Sequence, residues 1–134
     1  MSLFNIMITL GVKPYGHDTC AAIVIDGKII AASSEERFNR EKHSRKFPYE
    51  SIKFCLEKAG IKDINEVDEI SVGFNYLKLA FYLDFVGFFR YFPYYTKEAI
   101  TNGRYQIKKV LDTKRIFRKD FGFNKSIKFL DHHD

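Results

Sequence analysis

The chain has 134 residues, 46% of them hydrophobic and 29% charged, with a formal net charge of +5. That length suits one core-forming domain or part of one, and the balance excludes a disordered chain. The mild positive charge does not by itself call for nucleic acid, and the aromatic stretch between Phe74 and Tyr95 is broken by Lys78, Asp84 and Arg90, so it is a poor membrane span.

Residues 6–11 are predicted to form a short buried strand, and residues 12–18, with Pro14, Gly16 and Asp18, a turn. Strands over 20–25 and 28–33 are joined by Asp26-Gly27, a pair that fits a type I′ hairpin because both positions need positive φ. Pro48 opens a helix whose apolar face is Ile52, Cys55, Leu56 and Ala59; Gly60 ends it in the left-handed region, and Ile61 is placed for the following hydrophobic contact. Asp63 with Glu66 reads as a brief capped turn, followed by a strand over 69–74. Residues 77–91 and 96–119 are predicted helices, the second carrying Ile100, Ile107, Val110, Leu111 and Phe117 as its stripe, with Gly103 weakening it by ~1 kcal/mol. A fifth strand over 126–130 closes a βββαβααβ order, an α/β layout with an antiparallel hairpin inside a mixed sheet.

Cys20 and Cys55 sit in apolar contexts without metal spacing or a redox pair, which fits a reducing, cytoplasmic setting. The first residues lack the basic region and apolar core of a signal peptide. Residues 97–119 hold eight basic residues against Glu98 and Asp112, either a solvated helix face or a phosphate-backbone site. The aromatic block packs a helix against the sheet or a neighbour, or else forms a binding surface.

Two polar constellations stand out. In the turn of residues 11–18, Gly11 and Gly16 leave room for backbone N–H groups to approach an anion, and His17 stands at its mouth beside Asp18. A histidine there can move a proton or donate to developing charge; the competing reading is a surface turn in which Asp18 bonds nearby backbone. The loop 35–43 carries three acids, three bases and a histidine, either as a solvated, internally paired loop or as a carboxylate- or phosphate-binding element. At the far end, His132 and His133 point to opposite sides of an extended chain, and a metal normally needs three or more protein ligands. They read as part of a metal element or as a polar terminus.

Gly16-His17-Asp18, the run Ala21-Ala22-Ile23-Val24 with Asp26-Gly27, and the charged run Glu35-Glu36-Arg37-Phe38 with Arg40, Lys42 and His43 closely resemble the opening of the NodU/CmcH-type carbamoyltransferases. Phe47-Pro48 and the helix pattern from Ile52 to Gly60 extend the resemblance, which resumes at Asp131-His132-His133, where that family has a His-His-x-x-His element. The resemblance implies the first half of an actin-like ATPase or sugar-kinase (ribonuclease H-like) domain. It also implies transfer of a carbamoyl group from carbamoyl phosphate to a hydroxyl of a small molecule, with ATP, through a carbamoyl adenylate. By position, His17 matches the family's active-site histidine, and Arg37, Arg40, Lys42 and His43 match its charged, substrate-binding loop. His132 matches the first ligand of a divalent metal, iron or magnesium. No residue is assigned to ATP itself.

Family members are several times longer, so residues 1–134 are expected to be a partial N-terminal domain without transferase activity of their own. The competing expectation is a noncatalytic phosphate-binding or oligomerising module, with homo-oligomers left open and neither nucleic acid nor membrane as partner.

Overall fold

Burial alternates along the first two strands, which gives the sheet one inward face. In this computed structural model, which describes residues 5–86, 89–90, 92 and 96–131, strand β1 (Ile8–Lys13) pairs antiparallel with β2 (Cys20–Ile25), and β2 pairs antiparallel with β3 (Lys28–Ser34). Strand β4 (Glu69–Val72) adds parallel to β1, and β5 (Ile127–Phe129) parallel to β4, so the mixed five-stranded sheet has the order β3-β2-β1-β4-β5. The hairpin turn is as expected, with φ 49° at Asp26 and 77° at Gly27.

The chain divides into two units, one of residues 1–74 with 121–134 and one of residues 75–120. In the first, Leu10, Val12, Ala21, Ile23, Ile70 and Val72 are buried on one sheet face, which helix α2 (Tyr49–Lys58) covers with Ile52 and Cys55. Burial of each leucine, isoleucine or valine among them contributes about 1.5–3 kcal/mol, which makes this face a large source of the unit's stability. Helix α2 ends as predicted. Gly60 has φ 71°, its N–H reaches the Glu57 carbonyl at 3.0 Å, and the Ile61 N–H reaches Leu56 at 2.9 Å. Asp63 and Glu66 form the expected reciprocal cap around a 3₁₀ turn, Ile64–Glu66.

In the second unit, α3 (Tyr76–Phe81) runs into a π-helical turn (Tyr82–Val86), and α4 (Thr96–Lys119) packs against α3. The buried stripe of α4 differs from the expected one. Val110 and Phe117 are buried, but Ile100, Ile107 and Leu111 are exposed, and Gly103 and Thr113 take their place at helical spacing. A stripe chosen by hydrophobicity alone overlooked that a glycine and a threonine hydroxyl bonded to the Lys109 carbonyl (2.8 Å) can also be buried.

Two further boundaries differ from expectation. Strand β1 extends to Lys13, so Gly11, Val12 and Lys13 belong to the sheet and the turn shrinks to residues 14–19. A four-residue helix, α1 (Glu36–Asn39), occupies the first half of the expected loop, and the order becomes βββααβααβ. Of the predicted helix over 77–91, residues 87, 88 and 91 lie outside the described residues.

Candidate active site at the β1–β2 turn

The turn after β1 is pinned at its base. Pro14 is buried, the Lys13 ammonium donates to the His17 carbonyl, and Gly16 takes φ 86°. Gly16 is therefore a position where a β-carbon would be strained. Gly11 is not part of the turn: it is paired with Ala22 on one side and Ser71 on the other, inside the sheet.

Thr19 connects this turn to the charged loop. It is fully buried; its N–H donates to the Ser44 carbonyl at 3.2 Å and its hydroxyl to the Lys46 carbonyl at 2.7 Å. The two residues flanking Arg45 are thus anchored beside the start of β2, and Arg45 Nη2 lies over the His17 ring, 2.9 Å from Nε2 and 3.5 Å from Nδ1. A second ring–carboxylate pair lies alongside. His43 Nδ1 sits 3.0 Å from Asp18 Oδ1, and the rings of His17 and His43 stand 6.3 Å apart, nearly perpendicular at 89°.

Asp18, Arg40 and His43 all adopt positive φ (58°, 57° and 56°), a region that non-glycine residues seldom occupy. Three such residues in and beside one small cluster mean that the surrounding bonds over-determine the backbone, a pattern common at binding and catalytic sites. Those bonds are visible: the His43 N–H donates to Glu36 Oε2 at 3.2 Å, Asn39 Nδ2 to Ser44 Oγ at 2.6 Å, and the Glu41 N–H to Asn39 Oδ1 at 2.9 Å.

The residues picked out from sequence separate into three groups. His17 and His43 come together, with Asp18 and Arg45 as their partners. Arg37 instead lines a groove of about 540 Å³ on the sheet face opposite α2, with Gly11, Lys13, Cys20, Ala22 and Ser71 among its other walls. Arg40 and Lys42 are exposed, and His132 lies outside the described residues. Among the described residues there is no group of three or more histidines, cysteines or carboxylates that could hold a metal ion.

Glu35 corrects the picture of a solvated loop. It is only 5% exposed, and its carboxylate accepts from the Ser51 N–H (2.9 Å), the Ser51 hydroxyl (2.8 Å) and the Glu50 N–H (3.3 Å). It closes the amino end of α2, where Pro48 offers no side-chain cap and unpaired N–H groups favour an anion. The rest of the loop is partly self-paired, as in the bland expectation, with Lys46 2.7 Å from Glu41.

Arg45 and Thr19 were missed from sequence. Arg45 lies two residues beyond the run that drew attention, and a threonine at a strand start carries no distinguishing signal. The spacing His43-x-Arg45 in a loop returning to a His-Asp-Thr turn was the available hint.

Comparison with known proteins bears on these residues. A family profile described as Carbamoyltransferase N-terminus matches residues 8–128. An uncharacterized protein of Synechocystis is 52% identical over 61 residues, covering 46% of this chain and 10% of that protein. The nodulation protein NolNO of Sinorhizobium fredii is 51% identical over 55 residues, 41% of this chain and 8% of its own. An uncharacterized protein of Methanocaldococcus jannaschii is 38% identical over 52 residues, 39% of this chain and 10% of that one. The aligned stretch thus spans a tenth or less of these three relatives. With the profile extending from β1 to β5, the chain belongs to the carbamoyltransferase N-terminal family.

Proposed function

We propose that these residues form the N-terminal part of an ATP-dependent O-carbamoyltransferase. It moves a carbamoyl group from carbamoyl phosphate, through a carbamoyl adenylate, to a hydroxyl of a small molecule. The observation that carries this reading is the His17–Arg45 pair at the β1–β2 turn of a chain in this family. The strand order β3-β2-β1-β4-β5 with β2 antiparallel supports an actin-like or sugar-kinase type of domain.

Carbamoyl transfer needs an activated carbonyl, a hydroxyl stripped of its proton, and a place for charge on the carbonyl oxygen and the departing phosphate. His17, by its ring nitrogens, assists the hydroxyl or stabilises that charge. Lys13 and Arg45 add positive charge beside it, and an arginine fork suits carboxylate and phosphate oxygens. The groove at Lys13 and Arg37 has the volume expected of a small-molecule site, and its small side chains leave room for a flat nucleoside, so these two residues fit the phosphate of a nucleotide. ATP, when bound, supplies the phosphoric anhydride that activates the carbamoyl group. Arg40, Lys42 and His43 complete the basic rim offered to anionic substrate. His132 would begin a metal element, and no step above depends on it.

We place the reaction in the cytoplasm, consistent with two unpaired thiols, Cys20 and Cys55, and with no helix among the described residues long and apolar enough to cross a membrane. The test is to incubate the full-length protein with isotopically labelled carbamoyl phosphate, ATP and a panel of alcohols, and to look for labelled carbamate by mass spectrometry. Label must appear only with all three present; its absence across the panel rejects the reading.

A second reading, an oligomerising module, is favoured by the exposed ladder of Phe81, Phe85 and Phe89, whose ring centroids lie 5.3 and 5.0 Å apart. Sedimentation of the chain separates the two: a stable oligomer that binds neither ATP nor carbamoyl phosphate supports the module.

A further inference from the structure

We propose that residues 75–120 rest on an anionic lipid surface, with Phe81, Phe85 and Phe89 dipping into the headgroup layer and the surrounding lysines and arginines meeting acidic headgroups. This does not depend on the carbamoyl-transfer reading, and it concerns a different unit from the histidine turn. It goes against the sequence expectation of no membrane partner. A helix lying in the plane of a bilayer differs from one that spans it, and no helix among the described residues is long and apolar enough to cross.

Leu77, Phe81, Phe85 and Phe89 recur every four residues along α3, the π-helical turn and the residues after it. Phe81 and Phe85 are stacked at 5.3 Å and 9°, and Phe85 and Phe89 follow at 5.0 Å, so the rings form one continuous ridge. Their exposures are 67%, 54% and 71%, and Tyr82 and Phe92 are exposed as well. The neighbouring row, Tyr76 and Ala80, is buried, so α3 packs by one face and leaves the ridge outside. Soluble surfaces scatter large apolar side chains singly, and a ridge of them marks a face that something covers.

Charge identifies the cover. Residues 75–120 hold ten lysines and arginines against four aspartates and glutamates, whereas the rest of the chain holds twelve against thirteen. The whole positive excess therefore sits in the unit that carries the ridge. Lys78 and Arg90, both exposed, flank it along the chain. On α4 the exposed Lys97, Arg104, Lys108 and Arg115 fall in one helical row, opposite the buried Gly103, Val110 and Phe117. Rings and cations together supply the two signals that hold a peripheral protein on an acidic bilayer, where either alone is weak. Self-association through the ridge would bring two units of the same sign together, which their charge opposes. A nucleic-acid strand answers the cations, but its bases need open ring faces, and Phe81 and Phe85 already stack on each other.

Cosedimentation of the full-length protein with vesicles tests the proposal. Vesicles of phosphatidylcholine mixed with phosphatidylglycerol should bind it at least about 10-fold more tightly than phosphatidylcholine alone, and high salt should remove most of that difference. Phe81→Ser with Phe85→Ser should weaken binding to the mixed vesicles at least about 10-fold, with the circular dichroism spectrum unchanged. Lys78→Gln with Arg90→Gln should weaken it only at low salt. In the 134-residue chain, which has no tryptophan, Phe81→Trp should give an emission that shifts to the blue with the mixed vesicles. Equal binding to both vesicle types, binding to neither, or wild-type binding by the phenylalanine variant overturns the proposal. So does an oligomer, or a complex with single-stranded RNA, that the phenylalanine variant breaks apart. None of these results bears on carbamoyl transfer.

Discussion

Glu35→Gln removes one charge from a buried site and leaves the shape nearly unchanged. The wild-type carboxylate accepts three hydrogen bonds, two from Ser51 and one from the Glu50 N–H, at the amino end of α2. A bond to a charged group contributes about 1.5–3 kcal/mol, but three that share one carboxylate are not additive, and burial of the charge offsets part of the gain. Glutamine can still accept from Ser51 through its oxygen, yet its NH₂ then meets the Glu50 N–H, donor against donor. The expected loss is about 2–3 kcal/mol for Gln and about 3–4 kcal/mol for Ala. Urea titration followed by circular dichroism would show a lower midpoint at unchanged slope, and amide exchange at Glu50 and Ser51 should accelerate more than at the end of α2. A midpoint within 0.5 kcal/mol of wild type, by order of magnitude the effect of a surface change, would mean that the carboxylate is solvated.

Thr19→Val should lower stability by about 1–2 kcal/mol through the lost hydroxyl bond, and Thr19→Ser by about 1 kcal/mol through the lost methyl. Only the valine should move the His17 imidazole signals, because only it releases the segment carrying Arg45; equal shifts in both would contradict the anchoring. Cys55 is fully buried and its thiol is pushed up to about 11 by burial, so iodoacetamide at mildly alkaline pH should label it only in denaturant. Cys20, half-buried in the groove and also raised by burial, should react slowly in the folded chain, and a reversed order would put the sheet face wrong. A hydrogen bond from Lys128 holds the Glu69 carboxyl below its ordinary value. The stabilisation is therefore present above the unfolded pKa and fades as pH falls through the folded one. Lys128→Met should cost about 0.5–1 kcal/mol near neutrality and almost nothing in acid; an equal loss at both would show that the charge pair is not responsible.

The local signals that proved legible were those with a one-residue mechanism. Asp26-Gly27 needs positive φ at both positions, Gly60 needs it at one, and Asp63 with Glu66 satisfy each other's backbone, so hairpin, helix end and cap all appear where expected. Strand β1 was misjudged at its end because Gly11 reads as a terminator, whereas here it lies between Ala22 and Ser71 and keeps the sheet face bare for the groove. The stripe of α4 was misjudged because hydrophobicity does not tell which of several apolar rows meets a partner. In the site, His17 and His43 were visible as residue types, but their contacts with Arg45 and Asp18 depend on tertiary pairing across 28 and 25 positions. Glu35 looked like one charge of a loop, and only the fold shows it capping a helix.

The most direct measurement is the rate of labelled carbamate formation by the full-length protein with His17 replaced by alanine. The account predicts a loss of at least about 10²-fold at saturating carbamoyl phosphate and ATP, with folding unchanged by circular dichroism. Turnover equal to that of the wild type would contradict it.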